Sequence, residues 1–301
     1  MTDPIDYEAA ITENPNDLAG FANAVPIAQI GEEAFRRIDK IIPVELLGGR
    51  NLRELVARDT LPIPGPADRE GYAPNEWRYW GAGLLDYLKV LAECERHGVV
   101  LERVFDFGAA SGRVLRHFAV QGPASEVWGS DLNSRHVRWL QEFIPQAKAI
   151  INGASPPLPI DDNFFNLITA FSVFTHIDEC ESDWLAELRR ILRPGGLAYV
   201  TIHNEATWEE LRLLLEQKKE QKSRLYCSMA AADPQFTTLV DGPLPAERIV
   251  YEFAKQGPYR AQVFHSTSYV KRVWAEFFDI LDVLPRHHMH QTVVVMQKPS
   301  R

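Results

Sequence analysis

From position 103 onward, short continuous apolar runs alternate with amphipathic segments: RVFDFG then GRVLRHFA, EVWGSD then SRHVRWLQEFI, AKAIIN, NLITAFS then ESDWLAELRRIL, and GLAYVTIH. No other feature narrows the fold as much. Strands covered on both faces read as unbroken apolar runs, and strands alternating with helices are joined by right-handed crossovers into a parallel sheet. Two closing runs, DILDVLPR and QTVVVMQK, are separated by a short loop, which predicts an antiparallel hairpin at the sheet edge. The expected fold is α/β: a doubly wound, mostly parallel seven-stranded Rossmann-like sheet with an antiparallel C-terminal hairpin.

A chain of 301 residues with 46% hydrophobic content has room for more than this sheet. Residues 1–100 read as a mainly helical N-terminal extension or lid. Within them, LPIPGPADREGYAP at 61–74 is an ordered loop or hinge, and NEWRYWGAGLLDYLKVLAECERHG is one long helix with Asn75 as cap and Gly98 as stop. Residues 101–301 are the core, interrupted by an insertion at 205–260 that opens with the helical pattern ATWEELRLLLEQKKEQKSRL and is expected to shape a substrate site.

Net charge narrows the partners. At −9, the chain lacks the cationic surplus of a general nucleic-acid binder. Cys94, Cys180 and Cys227 are far apart and form neither a disulfide framework nor a zinc spacing, as expected of isolated thiols in a reducing compartment. The opening MTDPIDYEAA has no basic and apolar leader pattern, and no stretch reaches the roughly 18 apolar residues of a membrane span. A cytoplasmic location and no membrane partner are the expectation.

The stretch FDFGAASGRVLRHF, residues 105–118, places a small-residue loop between a strand and a helix start. Backbone N–H groups and the positive end of a helix dipole suit an anionic ligand there. Dinucleotides and S-adenosylmethionine both use such a loop. A dinucleotide fingerprint counted from Gly108 meets Ala110 and Arg113 where it wants glycines. The order Asp106, Phe107, Gly108, Ala109, Ala110, Ser111, Gly112 instead resembles motif I of class I S-adenosylmethionine-dependent methyltransferases, written Asp/Glu-x-Gly-x-Gly-x-Gly, with Ala110 at the middle glycine. Further signals follow in order. WGSDLN ends the second strand with Asp131, INGASPPLPIDDNFFNLITAFSVFTHID is similar to the third and fourth strand region, and LRRILRPGGLAYVTIH to the RxLxPGG turn before the fifth. The resemblance covers residues 103–203.

The resemblance implies S-adenosylmethionine as cofactor and assigns roles. Gly108, Ala109, Ala110 and Gly112 cradle the methionine part, with Asp106 on its ammonium and Arg113 either near its carboxylate or in an outward salt bridge. Asp131 holds the ribose hydroxyls; Leu132 and Asn133 flank the adenine; Gly153, Ala154 and Ser155 lie near its amino group. Phe171 and Ser172 face the sulfonium and its methyl, and Tyr79 is a further contact if its helix closes over the cofactor. His176, just past the fourth strand, is the candidate general base, with a scaffold role as the alternative; His203 is a weaker candidate. RPGG is read as a turn without chemistry. RHHMH at 286–290 suggests metal, but adjacent hairpin side chains diverge and nothing completes a ligand set, so no metal is expected.

No Asn/Asp-Pro-Pro-Tyr motif follows the fourth strand, which removes the signal for amino methylation of DNA bases. PPLP, SVFTH and GRVLRH resemble the wording of bacterial methyltransferases of unassigned substrate, some of them associated with glycan or secondary-metabolite pathways. The expected activity is methyl transfer to a small-molecule or glycan acceptor. Two other readings remain open at this stage, a catalytically silent nucleotide-binding module of the same fold and a nicotinamide-dependent oxidoreductase; oligomeric state is open as well.

Overall fold

A computed structural model of the chain describes residues 26–29, 31–220, 223–252 and 261–300. The opening segment 1–25 therefore lies outside the described residues, as do 221–222 and 253–260 within the expected insertion. The central sheet contains β1 (Arg103–Phe107), β2 (Glu126–Asp131), β3 (Ala147–Ile151), β4 (Phe165–Ala170), β5 (Leu192–Ile202), β8 (Asp279–His288) and β9 (Gln291–Gln297). The seven strands run in the order β3-β2-β1-β4-β5-β9-β8, with β1 to β5 parallel and β9 antiparallel to both its neighbours. A separate antiparallel pair joins β6 (Arg248–Glu252) to β7 (Ala261–His265). The Rossmann-like sheet and its antiparallel hairpin are as the alternation predicts.

The period of two along each strand divides the interior into two cores. Val104, Leu167, Leu197, Tyr199, Val293 and Val295 face one side; their chain neighbours Phe105, Ile168, Ala198, Val200, Val294 and Met296 face the other. The first face is covered by α1 (Glu32–Asp39), α2 (Leu52–Arg58), α3 (Glu76–Arg96), α4 (Leu115–Gln121) and α5 (Ser134–Phe143), which supply Ile38, Leu55, Leu88, Phe118 and Trp139. The second is covered by α6 (Glu181–Ile191) and α10 (Thr267–Val273), through Trp184, Leu188 and Val270. A third cluster, built on Trp208, Tyr226, Phe236 and Phe264, joins α7 (Glu205–Glu216), α8 (Arg224–Ala232) and α9 (Phe236–Leu239) to β7.

The long helix α3 starts as its sequence specifies, with the Asn75 side chain accepting from the Arg78 N–H at 3.3 Å, and Gly98 adopts a left-handed φ of 67° beyond its end. Gly83 sets how close α3 comes to the first loop: a Cβ there would lie 2.0 Å from the Arg113 carbonyl oxygen.

Three local expectations shift. The helix after the first loop begins at Leu115, because residues 111–114 form turns instead. The RPGG segment is not a turn separating helix from strand: α6 ends at Ile191, β5 starts at Leu192, and the register jumps from Leu192 opposite Phe165 to Leu197 opposite Leu167. The extra residues, including Gly195 at φ 75°, are absorbed as a bulge inside the strand. The helix expected to run from 206 to 225 ends at Glu216, and α8 begins afresh behind a Ser223 cap.

Because the chain moves outward from β1 to β2 and β3, then crosses back to β4, the strand order reverses between β1 and β4. In such a sheet, a crevice opens beyond the C-terminal ends of the strands at this switch point.

Candidate functional site at the C-terminal edge of the sheet

The loop from β1 to α4 follows a strained path. Gly108 and Gly112 have φ of 72° and 82°, and Ala110 between them takes 47°, a left-handed value that favours glycine. A Cβ on Gly108 would sit 2.4 Å from Val173 Cγ2, and one on Gly112 would sit 2.6 Å from Ile144 Cδ1. Their missing side chains thus make room for the protein's own packing, a different reason from the ligand approach expected of them. The loop is held by the Ala109 N–H donating to the Ser130 carbonyl and the Ala110 N–H donating to Asp131 Oδ2, both at 2.8 Å.

Two carboxylates frame it. Asp106, buried in β1, accepts from the Thr169 hydroxyl at 2.7 Å. Burial pushes it up to about 7, against the opposing pull of Thr169 and Arg113. Asp131, at the end of β2, also accepts from the Asn133 N–H at 2.8 Å and lies 3.6 Å from His136 Nδ1. His136 is held on its other side by Glu70 at 3.1 Å. Burial disfavours its imidazolium, yet Asp131 and Glu70 outweigh that and raise His136 to about 9.

Asn133 caps α5 with its side chain, accepting from the Arg135 N–H at 3.0 Å, so that side chain is committed to the helix. Leu132 is exposed beside it. Beyond β3, Gly153, Ala154 and Ser155 are exposed, and the Ala154 carbonyl accepts from Trp184 Nε1 at 3.0 Å. Asn152 precedes them, and its buried Oδ1 has no hydrogen-bond partner among the described residues.

The segment 61–74 crosses this edge as a strap. Its Asp68 carbonyl accepts from Ser111 in the loop at 2.5 Å, and its Asp68 carboxylate from Arg135 Nε at 2.5 Å. Tyr72 shares a 2.6 Å hydroxyl contact with Ser172, whose Oγ also receives a bond from Gln291 Nε2 at 2.9 Å. Tyr79 is buried in α3 and meets Ser111 at 2.9 Å, bracing the loop from beneath. Phe171 packs 5.6 Å from Tyr199 and 5.1 Å from His288 between ring centroids.

Arg113 takes neither of the places expected for it. It turns inward, donating to Asp86 of α3 at 2.5 Å, with its guanidinium 4.1 Å from the Tyr72 ring centroid. His176 donates from Nδ1 to the Ala261 carbonyl, 2.8 Å away, so in the neutral ring Nε2 has the lone pair. Burial lowers His176 from its ordinary value.

A family model described as a methyltransferase domain matches residues 105–200. The ubiquinone/menaquinone biosynthesis C-methyltransferase UbiE of Burkholderia mallei is 32% identical over 122 residues, 36% of this chain and 46% of that protein. The chain thus spans about half the length of the curated relatives it matches. Among solved structures, PH0226 of Pyrococcus horikoshii superposes with a TM-score of 0.50 at 17% identity, over 74% of this chain and 92% of that one. A S-adenosylmethionine-dependent methyltransferase of Methanosarcina mazei gives 0.48 at 16% identity, over 69% and 98%. Residues 105–200 of this chain are thus similar to a methyltransferase domain.

In the matched region, Asp106, the 108–112 loop, Asp131, Leu132, the 153–155 segment, Phe171, Ser172 and His176 all gather at one sheet edge. Their donor set suits a nucleoside carrying an amino-acid tail: a carboxylate at a strand tip, a buried carboxyl that a cation would ionise, and the unpartnered Asn152 oxygen. Asn152, Asp68, Glu70, Tyr72, Asp86, His136 and Gln291 escape the sequence reading, and His288 enters it only as part of RHHMH. Only Asn152 has a local signal there, being the last polar residue of the third apolar run.

Proposed function

We propose that the chain binds S-adenosylmethionine along this edge and transfers its methyl group to a small-molecule acceptor. The cofactor, when bound, supplies an electrophilic sulfonium methyl. Asp131 would accept hydrogen bonds from vicinal ribose hydroxyls, while the bonds from Ala110 and Asn133 hold its carboxylate in place. Asp106 would face the ammonium, the Asn152 oxygen the adenine amino group, and Phe171 and Ser172 the methyl. His176, with its proton fixed on Nδ1, has the tautomer of a proton acceptor.

The observation that carries the reading is the Asp131 carboxylate tied to the first loop's backbone, with the family match spanning both. A small-molecule acceptor is supported by the matched relative, which is named for quinone biosynthesis; a glycan is the other acceptor class consistent with the sequence. The protein's own task is alignment, since holding two reactants in line supplies a large part of such a barrier.

Calorimetric titration with S-adenosylmethionine and S-adenosylhomocysteine tests the binding half. Incubation of cell extract with methyl-labelled cofactor, followed by chemical identification of what gains label, tests the transfer half. Binding of neither compound would overturn the reading.

A further inference from the structure

The hairpin between β8 and β9 brings His288 and Gln291 to the same sheet edge, because β9 runs antiparallel to β5 and starts where β5 ends. There His288 donates from Nδ1 to Asp86 Oδ1 at 3.0 Å, and Arg113 donates to the other oxygen of the same carboxylate. The carboxylate can only accept when ionised, so Nδ1 carries a proton, and in the neutral tautomer Nε2 has the lone pair. That Nε2 is buried with no hydrogen-bond partner among the described residues. The ring lies near Phe171 and Tyr72, 5.1 Å and 6.0 Å away by centroids. Phe171 is the residue proposed to face the transferred methyl.

We propose that Asp86 and His288 form a dyad that takes the proton from a protic methyl acceptor, an inference that rests on the methyltransferase reading above. The acceptor atom forms its bond to the methyl carbon as the carbon–sulfur bond breaks. The bonding pair goes to sulfur, leaving a neutral thioether, and the acceptor's proton moves to His288 Nε2. The imidazolium so formed is stabilised by Asp86 and returns its proton to water. Burial opposes ionisation of Asp86, but His288 and Arg113 outweigh it and hold the carboxyl well below the usual carboxylate range. Asp86 therefore stays ionised throughout. His176 Nδ1 donates to a neutral carbonyl, whereas His288 Nδ1 donates to a carboxylate, the stronger support for an imidazolium.

The groups facing His288 are Asp86 of α3, Arg113 of the first loop, Tyr72 of the strap, and His287 and His290 of its own hairpin. Lys89 of α3 donates to the His287 carbonyl nearby. All of these remain when His288 alone is replaced. His288→Asn keeps an amide N–H for Asp86 and removes the Nε2 lone pair; His288→Gln is the second variant.

The test compares cofactor affinity with the rate of acceptor labelling in the whole chain, wild type against the two His288 variants, so that a loss of catalysis is separated from a loss of binding. At pH 8 the variants should bind the cofactor within about twofold of wild type, yet label the wild-type acceptor fraction at least about 100-fold more slowly. Undiminished labelling by His288→Asn, or a loss of labelling no larger than the loss of cofactor affinity, would overturn the dyad while leaving the proposed function standing. A wild type that binds neither compound would overturn both.

Discussion

At the residue scale, the two acidic positions of the site differ in what surrounds them. Asp131 has both oxygens bonded to backbone N–H groups, an arrangement that orients a carboxylate. Asp131→Ala is expected to weaken S-adenosylmethionine binding by about 1–3 kcal/mol through lost charge-assisted bonds, as read by calorimetry. Asp106 is raised to about 7 by burial, which outweighs the hydrogen bonds from Thr169 and the Leu115 backbone. An acid whose folded pKa is raised binds its proton more tightly when folded, so stability falls as pH climbs from about 4, the unfolded value, to about 7. Asp106→Asn removes this loss and is expected to be more stable than wild type at pH 8 by about 1–3 kcal/mol in urea unfolding. In the wild type, an ammonium placed beside Asp106 would favour the ionised form. Cofactor binding at pH 6.5 should then release protons, which titrations in buffers of different ionisation enthalpy can count.

At the element scale, the strap 61–74 and α3 decide how the loop is held. The strap is fixed to α5 partly through Glu70 and His136. His136 has a folded pKa of about 9 against an unfolded value near 6.5. Its contribution is fully present below the unfolded value and lost as pH rises through about 9. Hydrogen exchange of the strap, corrected for intrinsic rates, should accelerate between pH 7 and 10 in the wild type and change less in His136→Gln. The contact of α3 with the loop depends on Gly83, since a methyl there would collide with the Arg113 carbonyl. Gly83→Ala should cost about 1–3 kcal/mol of stability by overpacking, against the gain of up to 1 kcal/mol that alanine brings to an unobstructed helix. A stabilised Gly83→Ala protein would show that α3 can draw back from the loop.

At the scale of the whole molecule, binding at this edge would be felt by both cores, because Asp106 lies in the strand between them. S-adenosylhomocysteine at about 100 times its Kd should raise stability by about 2.7 kcal/mol and the melting temperature by about 4 °C, with no shift on adding NAD. Among the described residues, no helix is long and apolar enough to cross a membrane. The central sheet was legible because strand burial and helix periodicity are written in neighbouring residues, as Val104 beside Phe105 and Val293 beside Val294 show. Asp106, Gly108, Gly112 and Asp131 were legible for the same reason: each belongs to a strand end or loop whose pattern is local. The partners of Arg113, Tyr72 and His288 were not. Arg113 meets a residue 27 positions away, Tyr72 one 100 away and His288 one 202 away, and no short pattern encodes such pairings. The sequence by itself determined the layered sheet and the loop at its switch point. Only the tertiary structure decided which charges neutralise one another there, because that depends on how α3, the strap and the last hairpin pack over an edge that each reaches from a different part of the chain.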